Sequence, residues 1–70
     1  MKYRKGEIIP VEAFPEISQE AQRRRDELRS VNEKNHRRLN IPAITERIQA
    51  EMVALGLWTI DPVTGELCTN

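Results

Sequence analysis

The sequence contains one cysteine, Cys68, and one histidine, His36, so two common ways of stabilising a small chain are absent. A single cysteine cannot form an internal disulfide, and a zinc site of cysteine and histidine would lack ligands. A chain of 70 residues has a small core. Its expected stability is only about 3–10 kcal/mol, at about 0.05–0.15 kcal/mol per residue. We therefore expect it to gain stability by associating with copies of itself or with a larger protein.

Long apolar runs are also absent. The basic residues near the amino end are followed only by segment 6–10, which is too short and too interrupted for the apolar region of a signal peptide. No stretch is long enough to cross a bilayer as a helix. Together with the lone thiol, these features predict a soluble cytoplasmic protein without a membrane partner.

Net charge is absent too, because 11 Lys and Arg balance 11 Asp and Glu. A neutral chain is not expected to bind nucleic acid avidly without regard to sequence. The charges are nevertheless unevenly placed: residues 22–40 hold seven cations and three acids, a balance of +4, whereas residues 41–70 hold one cation and four acids, a balance of −3.

The clearest pattern that is present is an apolar stripe with helical spacing. Its members recur at steps of three and four residues: Ile41, Ile44, Ile48, Met52 and Leu55. The spacing predicts a helix from about Pro42 to Leu55. Gly56 then supplies the left-handed residue on which helices commonly end, and Leu57 can pack back over the last turn.

An earlier helix is predicted from about Gln19 to Leu39, with Ser18 as its N-cap. Its apolar stripe is thin and contains polar residues, so it needs its neighbour for stability. Before it, residues 1–17 form an extended arm, in which Ile8, Ile9 and Val11 are expected as a short edge strand. The side chains of Phe14 and Ile17 are expected to anchor this arm.

After Gly56 the pattern changes to β structure. Segments 58–60 and 66–68 flank the turn sequence Asp61–Gly65, in which Asp and Pro favour a type I turn and the glycine can close a hairpin. The predicted fold is therefore mainly α within a small α+β class. An extended arm at 1–17 precedes a single domain at 18–70, which consists of a two-helix hairpin and a β-hairpin.

Arginines are concentrated on the first predicted helix: Arg23, Arg24, Arg25, Arg37 and Arg38. A phosphate site needs guanidinium groups that converge on one face, but helical spacing spreads these around most of the helix. We favour a solvated face with pairing inside the chain. An acidic protein partner and nucleic acid remain open.

The sequence contains no recognisable set of catalytic residues. The serines and threonines lack a nucleophile motif, no glycine-rich phosphate loop is present, and Glu46 and Glu51 would not share a helix face. His36 has no other ligand at metal spacing, and Cys68 has no basic neighbour to lower its pKa. We expect no enzyme activity, metal, cofactor or small-molecule substrate.

The chain from Leu39 onward, with its helix, Gly56-Leu57-Trp58 and hairpin, resembles the recognition helix and wing of winged-helix DNA-binding proteins. That resemblance implies nucleic-acid binding through the second helix. Those proteins place apolar residues five and eight positions after the apolar residue of their turn; counted from Ile41, these positions hold Glu46 and Gln49.

A second stretch, Arg38-Leu39-Asn40-Ile41-Pro42 followed by Ile44 and Glu46, is similar to the junction of helices 1 and 2 in the theta subunit of bacterial DNA polymerase III. That family is a small helical bundle that binds the proofreading exonuclease subunit and has no activity of its own. Here a hairpin stands where its third helix would be, so the family is not assigned.

The function that these features favour is a non-catalytic module, an accessory subunit or regulator that docks on a larger protein. Trp58 suits either a core position or an interface anchor. The residues predicted for protein interaction are Ile48, Met52, Leu55 and Trp58, with Arg24, Arg25 and Arg38 as rim contacts. The alternatives are a winged-helix-like nucleic-acid-binding protein and a structural component of a phage or another assembly that forms oligomers.

Overall fold

The computed structural model describes residues 1–16 and 21–69, with the backbone alone at Leu39. Within these residues lie two α-helices and one small antiparallel sheet. The elements in chain order are β1 (Lys2–Tyr3), a 3-10 turn (Val11–Ala13), α1 (Gln22–Lys34), a π-helical turn (Asn35–Leu39), α2 (Pro42–Ala54), β2 (Thr59–Ile60) and β3 (Leu67–Cys68). The predicted class, a small α+β fold that is mainly α, is confirmed.

The first helix differs from the prediction at its carboxyl end. A continuous α-helix was expected as far as Leu39, but α1 ends at Lys34 and the next five residues form a π-helical turn. The N–H of Asn40 closes this turn by donating to the carbonyl of Asn35, five residues earlier. The predicted cap at Ser18 lies outside the described residues.

The Asn35 side chain explains why the chain turns here. Its amide donates to the carbonyl of Ile41 at 3.2 Å and to the hydroxyl of Thr45 at 3.1 Å, and its carbonyl accepts from the N–H of Ile41 at 2.9 Å. These bonds connect the end of α1 to the first turn of α2. Asn40 adopts the left-handed conformation at φ 48°, which asparagine tolerates better than most residues.

The carboxyl end of α2 is confirmed to within one residue. Gly56 has φ 79°, and its N–H donates to the carbonyl of Val53 at 2.9 Å. The N–H of Leu57 donates to the carbonyl of Met52 at 3.1 Å. This pair of bonds is the Schellman motif, which satisfies carbonyl groups that the helix leaves unpaired.

The predicted hairpin is also confirmed. The carboxylate of Asp61 accepts from the N–H of Val63 at 2.8 Å, and the N–H of Gly65 donates to the carbonyl of Asp61 at 2.8 Å. Gly65 has φ 76°, as the closing position of the turn requires. The two strands pair with Ile60 opposite Leu67.

The amino-terminal segment does form an edge strand, but not where it was predicted. The strand is β1 at Lys2–Tyr3, which pairs antiparallel with β3, so that the sheet order is β1-β3-β2. The predicted strand at Ile8, Ile9 and Val11 is wrong, because Pro10 is followed by the 3-10 turn that begins at Val11.

Side-chain hydrogen bonds fasten this segment to the helices and the hairpin. The amide of Asn32 on α1 donates to the carbonyl of Ile9 at 2.9 Å, and the indole N–H of Trp58 donates to the carbonyl of Ala13 at 3.1 Å. The rings of Phe14 and Trp58 also meet edge to face, with centroids 5.0 Å apart. Phe14 is confirmed as an anchor, while Ile17 lies outside the described residues.

Gln49 of α2 makes the third attachment. Its side-chain carbonyl accepts from the N–H of Gly6 at 3.1 Å, and its amide donates to the carbonyls of Arg4 and Glu7 at 3.2 and 3.3 Å. A buried amide with three backbone partners holds the turn at residues 4–7 against α2. The amino-terminal segment therefore packs as part of the same body as the helices.

One core is shared by all parts of the described chain. Its buried apolar residues are Tyr3, Ile9, Phe14, Leu28, Ile48, Met52, Trp58 and Leu67. The expectation that the stripe of α2 needs another molecule to cover it is wrong for Ile48 and Met52, which the amino-terminal segment, α1 and the hairpin bury; Ile44 and Leu55 are half-buried and Ile41 is exposed. Within residues 1–16 and 21–69, no helix has the length and apolar character needed to cross a membrane.

Candidate docking groove

The apolar residues predicted for docking lie inside the molecule. Ile48, Met52 and Trp58 are 2%, 0% and 2% exposed, and Leu55 is half-buried against the same core. A partner cannot contact the first three without opening the fold. The surface predicted from this stripe is therefore absent from the outside of the described chain, since sequence spacing identifies an apolar face but not what covers it.

The arginines predicted as rim contacts lie in different environments. Arg24 lies 2.9 Å from the carboxylate of Glu27 and also bonds Glu51 of α2, and these hydrogen bonds, that of Glu51 first, raise its pKa. Arg25 is only 3% exposed and therefore faces inward. Arg38 is exposed on the π-helical turn. The three do not form one surface.

An open groove lies instead between α2 and the hairpin. It encloses about 400 Å³ and is lined mainly by apolar surface. The apolar side chains that line it are Ala50, Val53, Ile60 and Leu67. Lys5 and Glu46 also contribute to the lining, with their charged atoms 3.9 Å apart.

Helical spacing explains the α2 wall of this groove. Glu46, Ala50 and Val53 stand at steps of four and three residues, so they share one face of the helix. That face is next to the buried face formed by Thr45, Ile48, Gln49 and Met52. The core face was visible in the sequence, whereas the groove face was missed because alanine gives only a weak apolar signal.

Ile60 forms the opposite wall and is the most exposed large apolar residue there. Its side chain is 47% exposed, and β2 lies at the edge of the sheet. The N–H of Asp61 donates to the carbonyl of Glu66, so by the alternation of an antiparallel ladder the backbone groups of Ile60 point away from β3. An apolar side chain and a free backbone edge therefore meet at one residue.

The polar groups of the groove are already bonded. Gln49 uses its amide on the backbone of residues 4–7, and Lys5 lies beside Glu46. No serine, threonine, cysteine or histidine is among the residues that line the groove. Within the described part of the chain, no group of three or more His, Cys, Asp and Glu residues is placed to hold a metal.

Comparison of the chain with protein-family models, with curated proteins and with solved structures finds no match. The resemblances to winged-helix proteins and to the theta subunit therefore gain no support from these searches.

Proposed function

We propose that this chain is a non-catalytic binding module that docks on a larger protein through the groove between α2 and the hairpin. The observation that supports the proposal is the open apolar lining at Ala50, Val53 and Ile60, which forms a concave surface beside the buried core. Concave apolar surfaces with a few polar groups at their edge are typical binding sites. The occupant that fits is an apolar segment of a partner protein.

The charges at the groove fit such a partner. Lys5 and Glu46 carry opposite signs and are 79% and 41% exposed in their side chains, so each can exchange its weak internal pair for a partner's charge. An apolar segment flanked by charged residues would match both the lining and this edge. Such pairs contribute to orientation more than to affinity. The free thiol of Cys68 supports a reducing compartment such as the cytoplasm for this function.

The proposal is tested by filling the groove from its helix wall. Ala50→Arg places a long side chain in the groove at an exposed helical position, so the fold is expected to survive while docking is lost. Ala54→Arg is the matched control, because Ala54 is exposed on the same helix and does not line the groove. Circular dichroism should give the same spectrum for both variants.

Docking is measured in two steps. Tagged wild-type chain is used to capture proteins from an extract of its own cells, and a candidate partner is then purified and titrated by calorimetry. We expect the wild-type chain and Ala54→Arg to bind this partner equally and Ala50→Arg to bind at least about tenfold more weakly, which corresponds to about 1.4 kcal/mol. Equal binding by Ala50→Arg would rule out the groove as the docking site.

A further inference from the structure

A cluster of cations lies at the carboxyl end of α1, away from the groove. Four cations, Arg29, Lys34, Arg37 and Arg38, stand within ten residues and have one carboxylate, Glu33, among them. Glu33 is shared, since it lies 3.9 Å from Arg29 and 3.4 Å from Arg37. The cluster therefore keeps a charge of about +3 on a chain whose net charge is zero.

Most other cations of the described chain are neutralised locally. Those with a carboxylate within 4.0 Å are Lys2, Arg4, Lys5, Arg24 and Arg25. Among residues 1–16 and 21–69, no carboxylate comes this close to Lys34 or Arg38. Both are exposed, so they are available to an anionic partner; Arg23 and Arg47 are also exposed with no such carboxylate, but neither lies in the cluster.

Three cations of this cluster line one surface depression, whereas Arg29 lies outside its lining. Ser30, Lys34, Arg37 and Arg38 line it together with Glu33, over a volume of about 310 Å³. Guanidinium, ammonium and hydroxyl groups are the side chains that contact phosphate oxygens, and the guanidinium fork can bind two of these oxygens at once. We propose that this cluster is a contact site for the phosphate backbone of double-stranded nucleic acid.

Two observations favour a nucleic-acid duplex over other anions. Exposed pairs with single carboxylates contribute only about 0–1 kcal/mol, so three exposed cations would hold an acidic protein weakly. A duplex has a much denser charge, and its binding is driven by release of condensed counterions. The three aromatic residues of the chain, Tyr3, Phe14 and Trp58, are all buried, so no aromatic platform is available for stacking unpaired bases.

The contact is independent of the proposed docking groove. The groove lining contains no residue of α1, and the cluster contains no residue of α2 or the hairpin. Binding at the cluster is expected to ignore base sequence, because it involves phosphates alone. It is also expected to be weak and strongly dependent on salt.

The test is a salt titration of binding to a blunt 20-base-pair duplex, followed by fluorescence anisotropy. Three phosphate contacts give a slope of about −2.7 in log affinity against log salt, which is about a 40-fold loss of affinity between 50 and 200 mM. The double variant Lys34→Gln with Arg38→Gln leaves one contact. Its slope should be less steep, about −0.9, which corresponds to about a 3.5-fold loss of affinity over the same range.

The matched control is Arg23→Gln with Arg47→Gln, which removes the same net charge at exposed positions outside the cluster, where no carboxylate of the described residues lies within 4.0 Å. This variant should keep the slope of the wild-type chain. An equally reduced salt slope in both double variants would overturn the proposal, because it would show that binding responds to net charge alone. Binding to polyglutamate without binding to the duplex would overturn it in favour of an acidic protein partner.

Discussion

At the scale of single residues, Asp61 has two structural roles in the hairpin. Its carboxylate accepts from the N–H groups of Val63 and Thr64 in the turn, and it lies 2.8 Å from the ammonium of Lys2 on β1. The hydrogen bond from Lys2, together with those from the turn, lowers the pKa of Asp61 from 3.8 to about 2. One side chain therefore shapes the turn and joins it to the amino-terminal strand.

This pKa shift predicts a pH dependence of stability. A carboxyl whose pKa is lower in the folded state stabilises the fold above its ordinary pKa of 3.8, and this contribution disappears as pH falls toward about 2. The free energy of unfolding of the wild-type chain should therefore exceed that of Asp61→Asn at pH 5 to 7, and the difference should vanish on acidification between these two pKa values. This difference in the free energy of unfolding is measured by urea denaturation at several pH values.

Lys2→Gln provides the control for this prediction. It keeps the turn hydrogen bonds of Asp61 and removes the ammonium, so an NMR titration should show the pKa of Asp61 shifted upward toward 3.8. A difference between the wild-type chain and Asp61→Asn that stays constant from pH 7 to 2 would contradict the assignment.

At the scale of elements, the end of α2 decides where the hairpin begins. Gly56 in the left-handed conformation reverses the chain, and the Schellman bonds of Gly56 and Leu57 fix the direction in which the next residue leaves. That residue is Trp58, which is buried and donates to the carbonyl of Ala13. The glycine therefore positions the largest side chain of the core.

Replacement of Gly56 isolates the contribution of its backbone conformation. Nothing lies within 4 Å of a Cβ added at this position, so Gly56→Ala brings strain without a clash. We expect a loss of about 1–2 kcal/mol in the free energy of unfolding, measured by chemical denaturation. Gly56→Asn should lose less, because asparagine tolerates the left-handed region better. Equal stability of wild type and Gly56→Ala would show that the helix end is not strained.

At the scale of the whole molecule, the amino-terminal segment completes the core. Tyr3, Ile9 and Phe14 are buried beside Met52 and Trp58, and β1 adds the third strand to the sheet. An isolated two-stranded hairpin is marginal in water, so the added strand is expected to stabilise the hairpin. The chain therefore covers Ile48 and Met52 of the α2 stripe with its own residues.

Phe14→Ala tests this arrangement. Truncation of a buried phenylalanine costs about 3–5 kcal/mol, which is a large part of the stability expected for a chain of this size. We expect a strongly lowered midpoint in thermal or urea unfolding. Val63→Ala is the control, because Val63 is 89% exposed at the hairpin turn and should change stability by less than about 0.5 kcal/mol. Similar midpoints for the two variants would show that the segment is not part of the core.

The candidate groove could not be predicted from the sequence, because distant segments form it. Its walls come from the turn after β1, from α2 and from the hairpin, and only the packing of these segments creates a concave surface. The spacing of Ile48 and Met52 identified a face of α2 that would be covered, but an apolar stripe looks the same whether its cover is the same chain or a partner. The burial of the arginines could not be predicted from the sequence either. Arg25 is buried and Arg38 is exposed, although both were predicted to lie on one helix.

The sequence by itself determined the features that depend on neighbouring residues: the end of α2 at Gly56, the start of α2 at Pro42, and the hairpin around Asp61 and Gly65. These follow from backbone conformations and short-range hydrogen bonds that a few side chains dictate. Only the tertiary structure decided that β1 pairs with β3 and that Ile48 and Met52 of the α2 stripe are buried. Those outcomes depend on which distant surfaces meet, and that is set by the packing of the whole core.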